Sequence, residues 1–220
     1  MAYTVGLEEG RTACAESVDA FLAAVDGFDE HALLASSRCH GWTRMDVVVH
    51  TIGGWQEMLG GLVALVDDEP TVDAASYWPA FAAEHDSGDP IPTLMAQRRR
   101  TAAYARPDSA RAQLRDIGGY LRRGVELMGE RRCTWQGHVF APGDFLATWA
   151  VENVVHQLDL LSEEPVPGSA LALARSTVEA LAGQPLPAAW SDEQAVLVGT
   201  GRAPVPEDAG ALGELLPVLG

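Results

Sequence analysis

The chain is poor in basic residues and contains no lysine, and both scarcities exclude classes of function. All fifteen basic residues are arginine, which excludes Schiff-base chemistry and the phosphate-binding lysine of a P-loop. Acidic residues outnumber basic ones 31 to 15, and the net charge is -16. Such a surface repels polyanions, so we expect no nucleic acid and no anionic membrane as partner.

Cysteine is also scarce, and long apolar runs are missing. Cys14, Cys39 and Cys133 are widely spaced, so we interpret them as reduced thiols rather than as a disulfide framework. Cys39 and Cys133, with His40 and His138, match no known metal-ligand spacing. No basic and apolar leader opens the chain, and no apolar run reaches membrane-spanning length. We therefore expect a cytoplasmic protein. We further expect it to be a monomer or a homodimer.

Four segments carry apolar residues at the three-and-four spacing of amphipathic helices. The second of them opens with Thr-Arg-Met-Asp at residues 43–46, a capping box for the start of a helix. Glycine pairs at 53–54 and 60–61 weaken that helix by about 1 kcal/mol per glycine, and either close packing or space for a ligand would explain them. The predicted helices cover residues 11–25, 43–66, 108–128 and 142–159.

The predicted fold is therefore mainly α, with a four-helix bundle over residues 1–165. Pro-Val-Pro-Gly at residues 165–168 has the composition of a linker. Residues 166–220 form a short C-terminal α/β appendage in this prediction. Its helix covers residues 170–181, and Gln-Ala-Val-Leu-Val at 194–198 is its strand.

Glu152 and His156 are the first candidates for metal ligands, because residues four apart lie on one face of a helix. His50 interrupts the apolar face of the second helix and could supply a third ligand. Two histidines and a carboxylate leave a coordination position open, as in catalytic zinc sites, and the same set suits Fe(II) or Ni(II). The alternative is a core histidine beside a helical salt bridge. Glu152 favours the metal, since a carboxylate in an otherwise apolar helix needs compensation.

Two stretches resemble a known family: Trp-Thr-Arg-Met-Asp-Val-Val-Val-His at residues 42–50, and Glu-Asn-Val-Val-His-Gln-Leu-Asp at residues 152–159. Both resemble signatures of the mycothiol-dependent maleylpyruvate isomerase N-terminal domain family, one of the DinB-like four-helix bundles, over about residues 10–165. The resemblance implies that His50, Glu152 and His156 bind zinc. It further implies an isomerase or transferase in which the metal activates mycothiol, or another low-molecular-weight thiol, to attack an electrophilic small molecule.

Other residues are candidates for supporting parts of this site. Asp46 and Asp159 each lie one turn from a proposed ligand and could orient its imidazole, although the capping box already accounts for Asp46. Trp55 and Trp149 are candidates for substrate contact or for the core. The complete isomerase has a C-terminal domain that supplies an arginine to the substrate. Arg202 could have that role, or Gly-Thr-Gly-Arg at residues 199–202 is only a strand end and a turn.

No catalytic base is identifiable from the sequence. Two further functions stay open beside a thiol-dependent enzyme. One is a metal-dependent hydrolase that uses bound water, and the other is a bundle that binds metal or a small molecule without catalysis.

Overall fold

Four long helices form the bundle that the apolar periodicity predicts. The computed structural model describes residues 2–85 and 89–219. The bundle consists of α1 (Leu7–Asp26), α3 (Arg44–Val63), α6 (Pro107–Leu127) and α7 (Pro142–Asp159). The shorter helices are α2 (Glu30–Leu33), α4 (Tyr77–His85), α5 (Ile91–Thr101), α8 (Gly168–Ala182) and α9 (Asp192–Gly199). The prediction of a mainly helical fold is confirmed.

Each bundle helix contacts two others: α1 packs on α6 and α7, and α3 packs on the same pair. The shared interior contains large, fully buried side chains, each contributing about 1.5 to 3 kcal/mol through burial. They include Phe21, Trp55, Leu114, Leu121 and Phe145. At one end the backbones of α1 and α7 nearly touch, since a Cβ atom on Gly10 would lie 2.5 Å from the carbonyl oxygen of Gly143.

The predicted capping box starts α3. The backbone N–H of Asp46 donates to the Thr43 hydroxyl at 3.1 Å, and the Asp46 carboxylate accepts from the Thr43 backbone N–H at 2.8 Å. Capping of this kind contributes on the order of 1 kcal/mol. It also fixes the first turn of α3, and therefore the side on which His50 emerges one turn after Asp46.

A small antiparallel sheet covers one end of the bundle. It consists of β1 (Leu65–Val66), β2 (Arg132–Trp135) and β3 (His138–Phe140), in the order β1-β2-β3. The two residues that join β2 to β3, Gln136 and Gly137, both have positive φ, at 47° and 77°. Two consecutive positive φ angles are typical of a type I′ hairpin turn. The hairpin contacts α3 and α7 and so approaches the helices that carry the proposed ligands.

The predicted strand at residues 194–198 is wrong, because these residues belong to α9. The backbone N–H of Gln194 donates to the Ser191 hydroxyl at 3.1 Å, which caps the helix. Ala195, Val196 and Val198 are buried, so packing and capping outweigh the strand preference of Val-Leu-Val. The C-terminal segment therefore contains the two helices α8 and α9, and the prediction of an α/β appendage is wrong. A domain boundary at residue 165 stays a prediction.

The C-terminal helices pack on the bundle, α8 against α1 and α7, and α9 against α7 and α8. Among the described residues, no helix combines the length and the apolar character needed to cross a membrane.

Candidate metal centre

Helices α3 and α7 bring the three predicted ligands to one cavity of about 780 Å³. His50 lies on α3, and its ring centroid is 4.7 Å from that of His156 on α7, with the planes at 73°. The Nε2 atom of His156 lies 3.2 Å from Oε2 of Glu152, one turn earlier on α7. The geometry thus places two imidazoles and a carboxylate at the same end of the cavity.

A buried carboxylate holds the other side of the His156 ring. Nδ1 of His156 lies 3.2 Å from Oδ2 of Asp159, which is fully buried. Arg202 donates from Nε and from a terminal nitrogen to the two Asp159 oxygens, both at 3.3 Å. The Cys39 thiol donates to Oδ2 at 3.1 Å. A carboxylate on the distal nitrogen of a histidine orients the ring for a metal on the other nitrogen.

Cys39 belongs to this centre, although no ligand spacing in the sequence joins it to His156 or Asp159. Within the part of the chain that the structure describes, Cys39, His156 and Asp159 are a group of metal-binding side chains whose donor atoms all lie within 4.8 Å of one another. The loop that carries Cys39 is attached to the end of α7, since the backbone N–H of Arg38 donates to the Asp159 carbonyl at 2.8 Å and the Arg38 guanidinium donates to the Leu158 carbonyl at 3.3 Å. No spacing in the sequence signals that attachment.

Burial and neighbouring charge set the ionisation of the centre. Burial, and then the nearby His156, lower the pKa of His50 to about 4. The pKa of His156 lies well above its ordinary value, because hydrogen bonds to Asp159, Cys39 and Glu152 outweigh the opposing effect of burial. Against burial, the hydrogen bond with His156 holds the pKa values of Glu152 and Asp159 low. The centre therefore contains a neutral His50 imidazole. The carboxylates of Glu152 and Asp159 favour positive charge at His156.

Asp46 is occupied by contacts at the helix start. One carboxylate oxygen accepts from the Thr43 backbone N–H and hydroxyl, both at 2.8 Å. The other accepts from the Thr101 hydroxyl at 2.6 Å. These contacts agree with the interpretation of Asp46 as a capping residue.

The three residues predicted to contact substrate are placed differently from one another. Trp55 and Trp149 both line the cavity. Trp55 is also part of the core, where its indole N–H donates to the Asn153 side chain at 2.8 Å. Arg202 contacts Asp159 and the carbonyl of Thr200, and it does not line the cavity. Its contact with substrate stays a prediction.

Comparison with known proteins adds a family and a fold. A family model described as the mycothiol maleylpyruvate isomerase N-terminal domain matches residues 14–161. Two solved structures, the mycothiol-dependent maleylpyruvate isomerase and a histidine-to-alanine variant of it, each superpose with a TM-score of 0.55 at 14% identity, covering 79% of this chain and 70% of theirs. That likeness concerns the fold alone. No curated protein sequence matches the chain.

Proposed function

This chain belongs to the mycothiol maleylpyruvate isomerase N-terminal domain family, and from that membership we propose that it is a metal-dependent enzyme with a low-molecular-weight thiol as cosubstrate. The thiol is mycothiol or another small thiol, and the second substrate is an electrophilic small molecule. The products are those of an isomerase or a transferase. The observation that carries the proposal is that His50, Glu152 and His156 line a single cavity.

The spacing of one donor pair, Glu152 and His156 on α7, fits a zinc ion. Ligand atoms about 2.1 Å from a tetrahedral ion are about 3.4 Å apart, and Nε2 of His156 lies 3.2 Å from Oε2 of Glu152. No nitrogen of His50 lies within 4.8 Å of both donor atoms of that pair, so His50 would have to move toward them to complete the site.

A histidine must be neutral to bind a metal. Burial keeps His50 neutral near pH 7 by lowering its pKa to about 4, whereas His156, whose pKa is raised, would have to release its Nε2 proton when it binds the ion. These three residues would hold the ion and leave one position free for the thiol.

The structure also favours a second metal position, formed by Cys39, His156 and Asp159. The donor atoms of these three residues lie within 4.8 Å of one another. Access separates the two positions. Glu152 and His156 line the cavity, whereas Cys39 and Asp159 do not. The Asp159 oxygens also accept two hydrogen bonds from Arg202, so this carboxylate is already compensated. A metal at the Cys39 position would lie beside the cavity rather than in it, and that position corresponds to a metal-binding bundle without catalysis.

A bound zinc ion would supply acidity, since a coordinated thiol loses its proton near neutral pH. The chain's own residues prepare for that event. Asp159 holds the His156 ring so that Nε2 is directed to the Glu152 side. The thiolate sulfur would then form a bond to one carbon of a conjugated C=C bond, while the π bond breaks and its electron pair moves to the conjugated carbonyl as an enolate. Protonation of the enolate carbon by solvent would complete a transferase product. In an isomerase the adduct would instead rotate about the new C–C single bond, and the enolate electron pair would then re-form the double bond and expel the thiolate.

Zinc binding by matched variants tests the position of the metal. We expect wild type to bind one zinc ion, and His50→Ala and Glu152→Gln to lose at least tenfold in affinity, while Cys39→Ser retains it. Affinity is measured by competition with a chromogenic chelator, and folding by circular dichroism. The opposite pattern, with loss only in Cys39→Ser, would assign the metal to the second position. Absence of zinc binding by wild type would overturn the proposal.

Thiol dependence tests the chemistry. Zinc-loaded protein is incubated with mycothiol and a conjugated electrophile such as maleylpyruvate, and product formation is followed with and without the thiol. We expect turnover only when thiol and zinc are both present. Equal rates without thiol would instead support a hydrolase in which bound water attacks.

A further inference from the structure

The cavity continues beyond the metal ligands into a region with an aromatic wall. Four rings follow one another along it, with centroid distances of 5.7 Å from Phe81 to Tyr77, 5.2 Å from Tyr77 to Trp135, and 4.8 Å from Trp135 to Trp149. All four residues line the cavity. They come from α4, β2 and α7, so the wall exists only because these elements meet.

The β2–β3 hairpin turn fixes this wall. Gln136 has a positive φ of 47°, an unfavourable conformation for a residue with a side chain. Its side-chain oxygen accepts from the Tyr77 hydroxyl at 2.9 Å, and its side-chain nitrogen donates to Glu57 on α3 at 3.0 Å. The turn thereby joins the aromatic wall to α3. A wall held in this way is preorganised, and preorganisation lowers the entropy lost on binding.

Glycines on α3 show where the cavity needs room. A Cβ atom on Gly54 would lie 3.1 Å from the Trp149 ring, and one on Gly61 would lie 2.4 Å from the Phe145 ring, so close packing accounts for both. Gly53 differs, because a Cβ atom there would meet nothing within 4 Å. Gly53 lines the cavity, so the missing side chain leaves bare helix backbone along the ligand space.

We propose that this region binds a planar aromatic or conjugated ring of the electrophilic substrate, stacked on the half-buried Trp135 of the aromatic wall and with its edge at Gly53. The inference rests on the proposed function, which assigns the thiol to the metal end of the same cavity. Flat rings gain from contact with aromatic faces beyond the area they bury. An aliphatic group of equal size gains only the burial. The region therefore selects substrates by planarity.

The test compares 2-naphthol with its saturated analogue, 2-decalol, which has the same hydroxyl group and ring skeleton without aromatic faces. Binding to the zinc-loaded full chain is measured by isothermal titration calorimetry. We expect 2-naphthol to bind about 2- to 10-fold more tightly than 2-decalol. Trp135→Leu is expected to remove that preference. Equal affinities in wild type would overturn the inference, whatever the variants do.

Two glycine variants on the same helix provide a matched pair. Gly53→Leu fills the ligand space and is expected to weaken 2-naphthol binding on the order of tenfold, the usual scale of overpacking by one side chain. Gly60→Leu is the control, since Gly60 is equally open but does not line the cavity. Circular dichroism confirms folding of both. Equal binding by the two variants would contradict a ligand beside Gly53.

Zinc affinity and thiol binding are measured on the same samples, which separates this inference from the proposed function. If wild type binds zinc and thiol but shows no preference for 2-naphthol over 2-decalol, only the ring-binding region is overturned. Absence of zinc binding with the preference intact overturns the proposed function, and leaves a small-molecule site that selects planar rings.

Discussion

Replacing Asp159 with Asn tests whether the buried carboxylate supports the candidate centre. Asp159 is fully buried and accepts from His156, Cys39 and Arg202 at 3.1 to 3.3 Å. Asn retains the shape but not the charge, so Arg202 would lose its counterion. Removing one partner of a buried ion pair costs about 3 to 5 kcal/mol. Because the Arg202 side chain is 21% exposed, we expect about 3 kcal/mol, the lower end of that range.

A double-mutant cycle isolates the ion pair. Arg202→Met removes the cation that Asp159→Asn leaves without a counterion, so the double variant should be destabilised by less than the sum of the single changes. We expect a coupling free energy above about 1 kcal/mol, as is found for residues in direct contact. The free energy of unfolding is measured by urea denaturation. Asp19→Asn is the control, because it breaks an exposed ion pair with Arg122 and should cost less than about 1 kcal/mol.

Zinc affinity provides the second measurement on the same variants. Asp159→Asn should weaken zinc binding about 10- to 100-fold, because the His156 ring loses the carboxylate that orients it. Arg202→Met keeps the Asp159–His156 contact and should change the affinity less. Additive destabilisation within about 0.5 kcal/mol, together with unchanged zinc affinity in Asp159→Asn, would refute the reasoning.

Three further predictions concern other parts of the fold. Burial raises the pKa of Asp144 to about 6 from 3.8, so this group favours folding below about pH 4 and loses that contribution as the pH rises through 6. Asp144→Asn should therefore remove up to about 3 kcal/mol of the decline in stability between pH 4 and pH 7, as measured by urea unfolding at both values. Burial raises the pKa of Cys14 and of Cys133 to about 12. A thiol reagent should therefore label only the half-buried Cys39 rapidly in the native protein. Rapid labelling of the Cys39→Ser variant would contradict this prediction. Gly61→Ala should destabilise the fold by about 1 to 3 kcal/mol despite alanine's better helix propensity, because the new Cβ would lie 2.4 Å from a phenylalanine ring; a higher melting temperature would contradict it.

Much of the bundle was predictable because its signals are local. The capping box at residues 43–46 places the start of α3, and the three-and-four spacing of apolar residues locates each long helix. Glu152 and His156 could be paired for the same reason, since one helical turn separates them. His50 could be proposed as the third ligand because it interrupts the apolar face of the second helix, and the family signatures supported that choice.

The failures of sequence reasoning share one cause. Residues 194–198 have the β-branched composition of a strand, yet a serine cap and burial make them part of α9. Cys39 matched no ligand spacing, yet the loop that carries it is hydrogen-bonded to the end of α7. Of the two glycines in the first pair on α3, Gly54 packs against Trp149 and Gly53 faces open space. Each outcome depends on a neighbour distant in sequence.

The sequence by itself determined the helical class, the start of α3 and the ligand pair on α7, because helices form through hydrogen bonds between residues four apart. Only the tertiary structure decided which groups surround His156. Asp159 lies on the same helix, but Cys39 and Arg202 reach it from opposite parts of the chain. Contacts between distant segments depend on how whole helices pack, and the spacing of residues along one segment carries no record of that packing.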